Sequence, residues 1–592
     1  MGQFLKQTLA SLIGSLTALL LLLTLGASGL ALLFVSTLLK EDGARVKDKT
    51  VLVFDLATQI SDVQPQSTLN STLSGTDSNA MTLRQVLDTL EKAAADERIV
   101  GLLLDGTQGE GNSGYAQLAE IRRALEQFQA AGKQIIAYDT AWEESSFYLS
   151  SLADTVIVHP LGTMTIDGFS SQVPLFVGAL EKYGIDVQVV RAGSYKSAVE
   201  PFTQQSLSPE SREQTEELLG DLWQEFVSTI SGSREITPQQ LQSITDTQGL
   251  LDAESALAAG LVDRLAYLDE VIAELKELTD VTAADRSFRQ LSLSAYSGAT
   301  GGANSSDNKI AVVYADGAIV GGEGTLGQVG SDRFAQILRK LRRDRAVKAV
   351  VLRINSPGGG ATASDIILRE VQLLGEEKPI VVSMGNVAAS GGYWVAMGAD
   401  EIFAEASTIT GSIGVFGLLP NIQELANNNG ITWDVVKTGR LADINTVLRP
   451  KSEQELAIYQ QYVDQTYNTF LNKVAEFRNL PKERVAEIAQ GRVWSGTDAQ
   501  QIGLVDRLGG LEAAVESAAE KADLDDDWEL SEYPQQRRLG EIFARLLTLR
   551  SESATLDPLS TELKRFKADL AFQLLSDPQG IYARLPFNFR VD

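Results

Sequence analysis

Gly260-Leu-Val-Asp-Arg-Leu265 recurs as Gly503-Leu-Val-Asp-Arg-Leu508, an offset of 243 residues. Upstream, Ser151-Leu-Ala-Asp-Thr-Val156 matches Met397-Gly-Ala-Asp-Glu-Ile402 at an offset of 246. The same offset carries Gly168 onto Gly414, Gly184 onto Gly430, and Val189-Val-Arg-Ala-Gly193 onto Val435-Val-Lys-Thr-Gly439. A chance match would not hold its offset over so long a stretch. The chain is a tandem duplication, and the fold has to be read as one unit used twice.

Each copy alternates short apolar runs with longer amphipathic ones. Residues 50–56 (TVLVFDL) and 309–314 (KIAVVY) open the two copies as strands. In the second copy, residues 349–354 (AVVLRI) and 379–383 (PIVVS) read as buried strands, with helices over 364–374 and from about Ser390. Strands alternating with helices imply mostly parallel sheets joined by crossovers, an α/β architecture. Residues 456–477 and their counterpart 213–230 read as long helices, and 539–575 as a further helical stretch in the tail. The expected domains are an N-terminal anchor (1–40), a first repeat (50–296), a Gly/Ser-rich linker (297–308), a second repeat (309–530) and a helical tail (531–592).

Composition narrows the chemistry. With 592 residues, the chain can bury at least two cores. It has no cysteine, so disulfides, thiolate nucleophiles and thiolate metal sites are excluded. Its single histidine, His159, ends a strand and maps onto Glu405, which argues against an imidazole base. No metal or cofactor is expected. A net charge of −27 argues against nucleic acid as a partner. Residues 7–39 hold no charge, and the 23 residues of 12–34 exceed the roughly 20 needed to cross a bilayer. An uncleaved single-pass anchor is the expectation. Ala27-Ser28-Gly29 would suit a cleaved signal peptide, but the apolar run continues beyond it. The basic residues Lys6, Lys40, Arg45, Lys47 and Lys49 flank both ends and leave the sidedness open.

Two glycine-rich turns carry candidate chemistry. Asn355-Ser-Pro-Gly-Gly-Gly360 follows a buried strand, and its bare N–H groups suit either an oxyanion or a tight connection with no chemistry. Ala388-Ala-Ser-Gly-Gly392 also joins a strand to a helix. There Ser390 is either a helix cap or a nucleophile with the Gly391 N–H beside it as an oxyanion donor. A serine nucleophile needs a base, and without imidazole or thiolate the remaining option is a lysine made neutral by burial. Bringing a lysine from about 10.4 to about 7–8 takes roughly 3 to 4 kcal/mol of differential desolvation. Lys196 lies just after the strand at 187–190, and its repeat counterpart is Ala442, whereas Ser390 maps onto Glu144. Each copy therefore has one member of a Ser/Lys pair and lacks the other. That complementarity favours one composite site over a helix cap and an ordinary loop lysine.

Tyr195-Lys-Ser-Ala-Val-Glu-Pro-Phe202, Asn355-Ser-Pro-Gly-Gly359, Ala389-Ser-Gly-Gly-Tyr-Trp394 and Thr410-Gly-Ser-Ile-Gly-Val415 resemble the signal peptide peptidase SppA (protease IV) family, long tandem type. The resemblance implies two tandem ClpP/crotonase-like repeats after an N-terminal transmembrane helix, and a membrane-anchored serine protease that degrades cleaved signal peptides. It implies Ser390 as nucleophile, Lys196 as general base and acid, and Ser412 as the residue that orients the lysine. Gly391 with Gly358 or Gly359 would form the oxyanion hole. It also implies a homotetramer whose catalytic part lies outside the cytoplasm. Two other readings are an acyl-CoA enzyme of the crotonase fold, which calls for acidic catalytic residues, and a silent membrane-anchored scaffold that binds peptides.

Overall fold

The computed structural model describes residues 45–63, 80–282, 284–300, 306–325, 327–525, 527–534 and 581–584. The expected anchor span and the tail stretch 539–575 lie outside them. Among the described residues no helix is long and apolar enough to cross a membrane.

The two copies build sheets of the same strand order. In the first, strands run Gln290–Ser292, Thr50–Asp55, Ile99–Asp105, Gln134–Trp142, Thr155–Thr165 and Leu250–Asp252, with Arg264–Leu265 beside Thr155–Thr165. In the second, Glu529–Tyr533, Lys309–Asp316, Val347–Ser356, Ile380–Ala389, Ile409–Gly411 and Val493–Ser495 follow in the same spatial sequence. The central pairings are parallel in both copies. Parallel strands covered on both faces need continuous apolar runs, which is what the Val- and Leu-rich segments supply. Val51, Leu52, Leu104, Val312, Val351 and Val382 are fully buried.

Long helices flank the sheets, each started by local chemistry. Ser208 caps the N-terminus of Pro209–Ser233 by accepting the Ser211 N–H, with proline in the first turn. Ser452 and Glu455 form a capping box at the start of Glu453–Phe477.

A third, mixed sheet crosses from one copy to the other, in the order Gln328–Gly330, Ala318–Val320, Gly358–Gly360, Ile581–Arg584, Val415–Asn421 and Asp186–Ala192. Here the structure corrects three expectations. Gly358–Gly360 is a strand rather than an open loop, because it pairs with neighbours on both sides. Residues 297–300 complete the helix Leu293–Thr300 and are not linker; Tyr296 is buried there and anchors it. Where it is described, the 531–592 tail is strand and not helix: 531–533 extend Glu529–Tyr533, and Ile581–Arg584 enters the third sheet.

The copies are locked together around Arg353, fully buried in Val347–Ser356. Its Nε donates to Asp62 Oδ1 at 3.1 Å, its Nη2 to Glu120 Oε1 at 2.6 Å, and its Nη1 to Ser383 Oγ at 2.9 Å. The second Glu120 oxygen accepts the Leu511 N–H at 2.5 Å. Burial pushes the Glu120 carboxyl up to about 7, with the Arg353 charge pulling the other way. Both acids come from the first copy and the arginine from the second.

Candidate active site

Ser390 ends the strand Ile380–Ala389, immediately before the helix Gly391–Ala396. Its backbone has φ 55° and ψ −112°, a strained conformation for a residue with a Cβ. It is held there by the Ser390 N–H to Gly411 O at 2.8 Å and by Trp394 N–H to Ser390 O at 2.8 Å. The side chain makes no capping bond to the helix it precedes. Instead Oγ lies 2.8 Å from Lys196 Nζ.

Lys196 arrives from the other copy. The strand Asp186–Ala192 pairs antiparallel with Val415–Asn421 and delivers the chain to the turn at Gly193. Tyr195 N–H donates to Gln490 O at 2.9 Å. Gln214, on the long helix Pro209–Ser233, donates to Tyr195 O at 3.0 Å and to Ser197 Oγ at 2.9 Å, and accepts the Val493 N–H at 3.2 Å. One glutamine thus ties the lysine turn to the second copy. Gly491, at φ 79°, lies against the lysine backbone: a Cβ there would come within 2.6 Å of Lys196 Cβ and 2.7 Å of Lys196 N. Sequence reasoning did not single out Gln214 or Gly491.

Lys196 Nζ has three partners: Ser390 Oγ at 2.8 Å, Ser412 O at 2.9 Å and Ser412 Oγ at 2.9 Å. A neutral amine has two N–H donors and one lone pair. Donating to the two Ser412 oxygens leaves the lone pair facing the Ser390 hydroxyl. Ser412, at φ 52°, passes its own hydroxyl proton to Gly491 O at 3.4 Å. Lys196, Ser390 and Ser412 are all 0% exposed. Burial pushes the Lys196 ammonium well below its usual range, and its three partners carry no charge that would offset this.

The glycines expected at an oxyanion site converge beside Ser390. A Cβ on Gly358, where φ is 96°, would lie 2.6 Å from Gly391 N; one on Gly391 would lie 3.0 Å from Gly359 N. Only bare backbone fits here. The Gly358 N–H is directed to Ser356 Oγ at 3.2 Å.

In the first copy the position of Ser390 holds Glu144, whose Oε1 accepts the Gly168 N–H at 2.8 Å. Burial raises its carboxyl to about 7, that hydrogen bond pulling it back. His159 lies apart, its Nδ1 accepting the Leu161 N–H and its ring edge-on to Tyr267.

A duplicated, mostly parallel α/β chain with a buried serine and lysine in contact defines a class, and sequence comparison gives it a family. Residues 127–282 and 372–525 match peptidase family S49. Protease 4 of Salmonella typhi is 37% identical over 468 residues, 77% of this chain and 74% of its own length. The chloroplastic serine protease SPPA of Arabidopsis thaliana is 34% identical over 488 residues, 81% of this chain and 70% of that protein. A ClpP1 mutant from Listeria monocytogenes superposes at a TM-score of only 0.24 with 16% identity, covering 34% of this chain and 94% of that one. The chain belongs to peptidase family S49 and is a serine protease of the SppA type.

Proposed function

We propose that the chain is a membrane-anchored endopeptidase that cuts cleaved signal peptides and other apolar peptides with a Ser390/Lys196 dyad, on two ClpP/crotonase-like units. The observation that carries this reading is the 2.8 Å contact between Lys196 Nζ and Ser390 Oγ in a fully buried, uncharged setting. Ser390 Oγ attacks the scissile carbonyl as its proton passes to the Lys196 lone pair. The oxyanion that forms is held by the Gly391 N–H, with Gly358 or Gly359 completing the hole. Lys196 then protonates the departing amine, leaving an acyl-serine. Water, deprotonated by the same lysine, hydrolyses the ester. Ser412 keeps the amine turned toward Ser390.

The sign of the pH dependence follows from the lysine. Only the neutral amine accepts a proton, so kcat/KM rises with pH through the depressed Lys196 pKa and levels off below the usual lysine range. A profile that is flat from pH 5 to 9 (roughly the range in which a tuned base titrates) would contradict a lysine base. Gly491→Ala should lower kcat by about 10²-fold with little change in KM, because the new methyl displaces Lys196 by a fraction of the distance that alignment tolerates.

Self-association into a homotetramer is part of the proposal. Asp186–Ala192 pairs with Val415–Asn421 within the chain. By the repeat offset of 246, the corresponding segments are 432–438 and 169–175, neither of which forms a strand. Residues Ile431, Trp433, Val435 and Val436 are exposed there, Val436 to 97%. Pairing 432–438 of one copy with 169–175 of the next would repeat the internal contact head to tail and close a ring. Val436→Glu is expected to yield a smaller species by native mass measurement. The apolar span 7–39 would hold the assembly on the bilayer, with the catalytic part outside the cytoplasm.

A further inference from the structure

The strand Ile581–Arg584 occupies the cleft beside Ser390 as a peptide substrate would. It runs antiparallel to Gly358–Gly360, with Gly358 opposite Arg584, Gly359 opposite Ala583 and Gly360 opposite Tyr582. On its other edge it runs antiparallel to Val415–Asn421, with Phe416 opposite Tyr582 and Gly417 opposite Ile581. An extended peptide held on both edges by main-chain pairing is how a protease aligns a scissile bond, whatever the side chains.

The position of one carbonyl identifies the bond. A Cβ on Gly358 would lie 2.3 Å from Ala583 O and 2.6 Å from Gly391 N, so these two atoms face the same small space. A Cβ on Gly391 would lie 3.0 Å from Ala583 O. The Ala583 carbonyl oxygen therefore sits among the glycine amides that follow Ser390, where an oxyanion would form. Ala583 is 0% exposed, so the side chain on the acyl side of this bond is enclosed and small.

We propose that the chain cuts itself between Ala583 and Arg584, and that the subsite on the acyl side of the cut selects alanine-sized residues. The inference rests on the assignment of Ser390 and Lys196 above. Ser390 Oγ adds to the Ala583 carbonyl carbon and its proton passes to Lys196. The Ala583–Arg584 C–N bond breaks as Lys196 returns the proton to the Arg584 nitrogen. The peptide beginning at Arg584 leaves with a free amine, and water converts the Ala583 ester to a carboxylate. Until its bond is cut, the strand fills the cleft and competes with peptides in trans.

Intact-mass and C-terminal peptide analysis of the wild type, Ser390→Ala and Ala583→Trp tests this, with hydrolysis of an apolar fluorogenic peptide measured in parallel. The wild type is expected to accumulate chains ending at Ala583, while Ser390→Ala keeps residues 584–592. Ala583→Trp should slow trimming by about 10²-fold or more, since an enclosed small subsite rejects an indole. Its hydrolysis of the fluorogenic peptide should be no lower than that of the wild type. A wild type that hydrolyses the peptide yet retains residues 584–592 overturns self-cleavage and leaves the Ser390/Lys196 assignment standing. Trimming of Ser390→Ala at the same bond overturns it too, by assigning the cut to another protease. If the wild type cuts neither substrate, the catalytic assignment and this inference fall together.

Discussion

Lys196→Met is expected to lower kcat for an apolar peptide by on the order of 10⁴–10⁶-fold, as removal of a base from a serine protease does. Ser390→Ala should lose a similar factor, and the double variant little more, because the two residues act as a unit. Substrate KM should change little, since neither side chain is needed to hold an extended peptide paired on both edges. Steady-state kinetics on the three variants reads this directly.

The same substitution has a consequence for stability, and its sign is fixed by the direction of the Lys196 shift. The folded-state pKa is depressed, so at neutral pH the unfolded chain binds a proton on this lysine that the folded chain does not. Wild-type stability therefore rises with pH through the window between the depressed pKa and the ordinary lysine value near 10.4. Lys196→Met should lose that part of the slope while the fold persists. An inactive variant with a native unfolding transition and a flatter pH dependence separates loss of chemistry from loss of structure.

Arg353→Met is expected to destabilise the chain by about 3–5 kcal/mol, the usual result of leaving buried charges without their partner. Asp62 and Glu120 would both keep their places in the interior with the guanidinium gone. Their carboxyls would then be pushed further up, so the folded state would bind more protons than the unfolded one. A carboxyl with a raised folded pKa contributes stability at low pH that is lost as pH rises. The defect should therefore be smaller at pH 5 than at pH 8, as read from urea midpoints at a common slope. Because the cluster joins the two copies, the Ser390–Lys196 contact depends on it although Arg353 touches neither residue. A midpoint unchanged at both pH values would show that the cluster does not hold the copies together.

What the sequence made legible was local or periodic. The buried strands are continuous Val- and Leu-rich runs, and the duplication leaves a constant offset that any reader of the chain can follow. The pairing of Ser390 with Lys196 came from the same offset, since Glu144 and Ala442 stand where the complementary residues would be. The structure brings those two side chains to 2.8 Å. Gly491 and Gln214 left no such trace. Their importance lies in what packs against them from the other copy, and one glycine among 50 has no local signature. Arg353 was visible as a charge inside an apolar strand, but its partners Asp62 and Glu120 lie hundreds of residues away. The tail was misread where it is described: Ile581–Arg584 is extended because two strands flank it, not because of its own propensity.

The account turns on Ser390 being activated by Lys196. The most direct measurement is the stoichiometry and site of labelling by a fluorophosphonate, mapped by peptide mass spectrometry in the wild type and in Lys196→Met. The expected result is one label per chain, on Ser390, with a rate that climbs with pH in the wild type and is lost in Lys196→Met. Labelling of Ser390 at an undiminished rate in Lys196→Met, or of a different serine in the wild type, would contradict it.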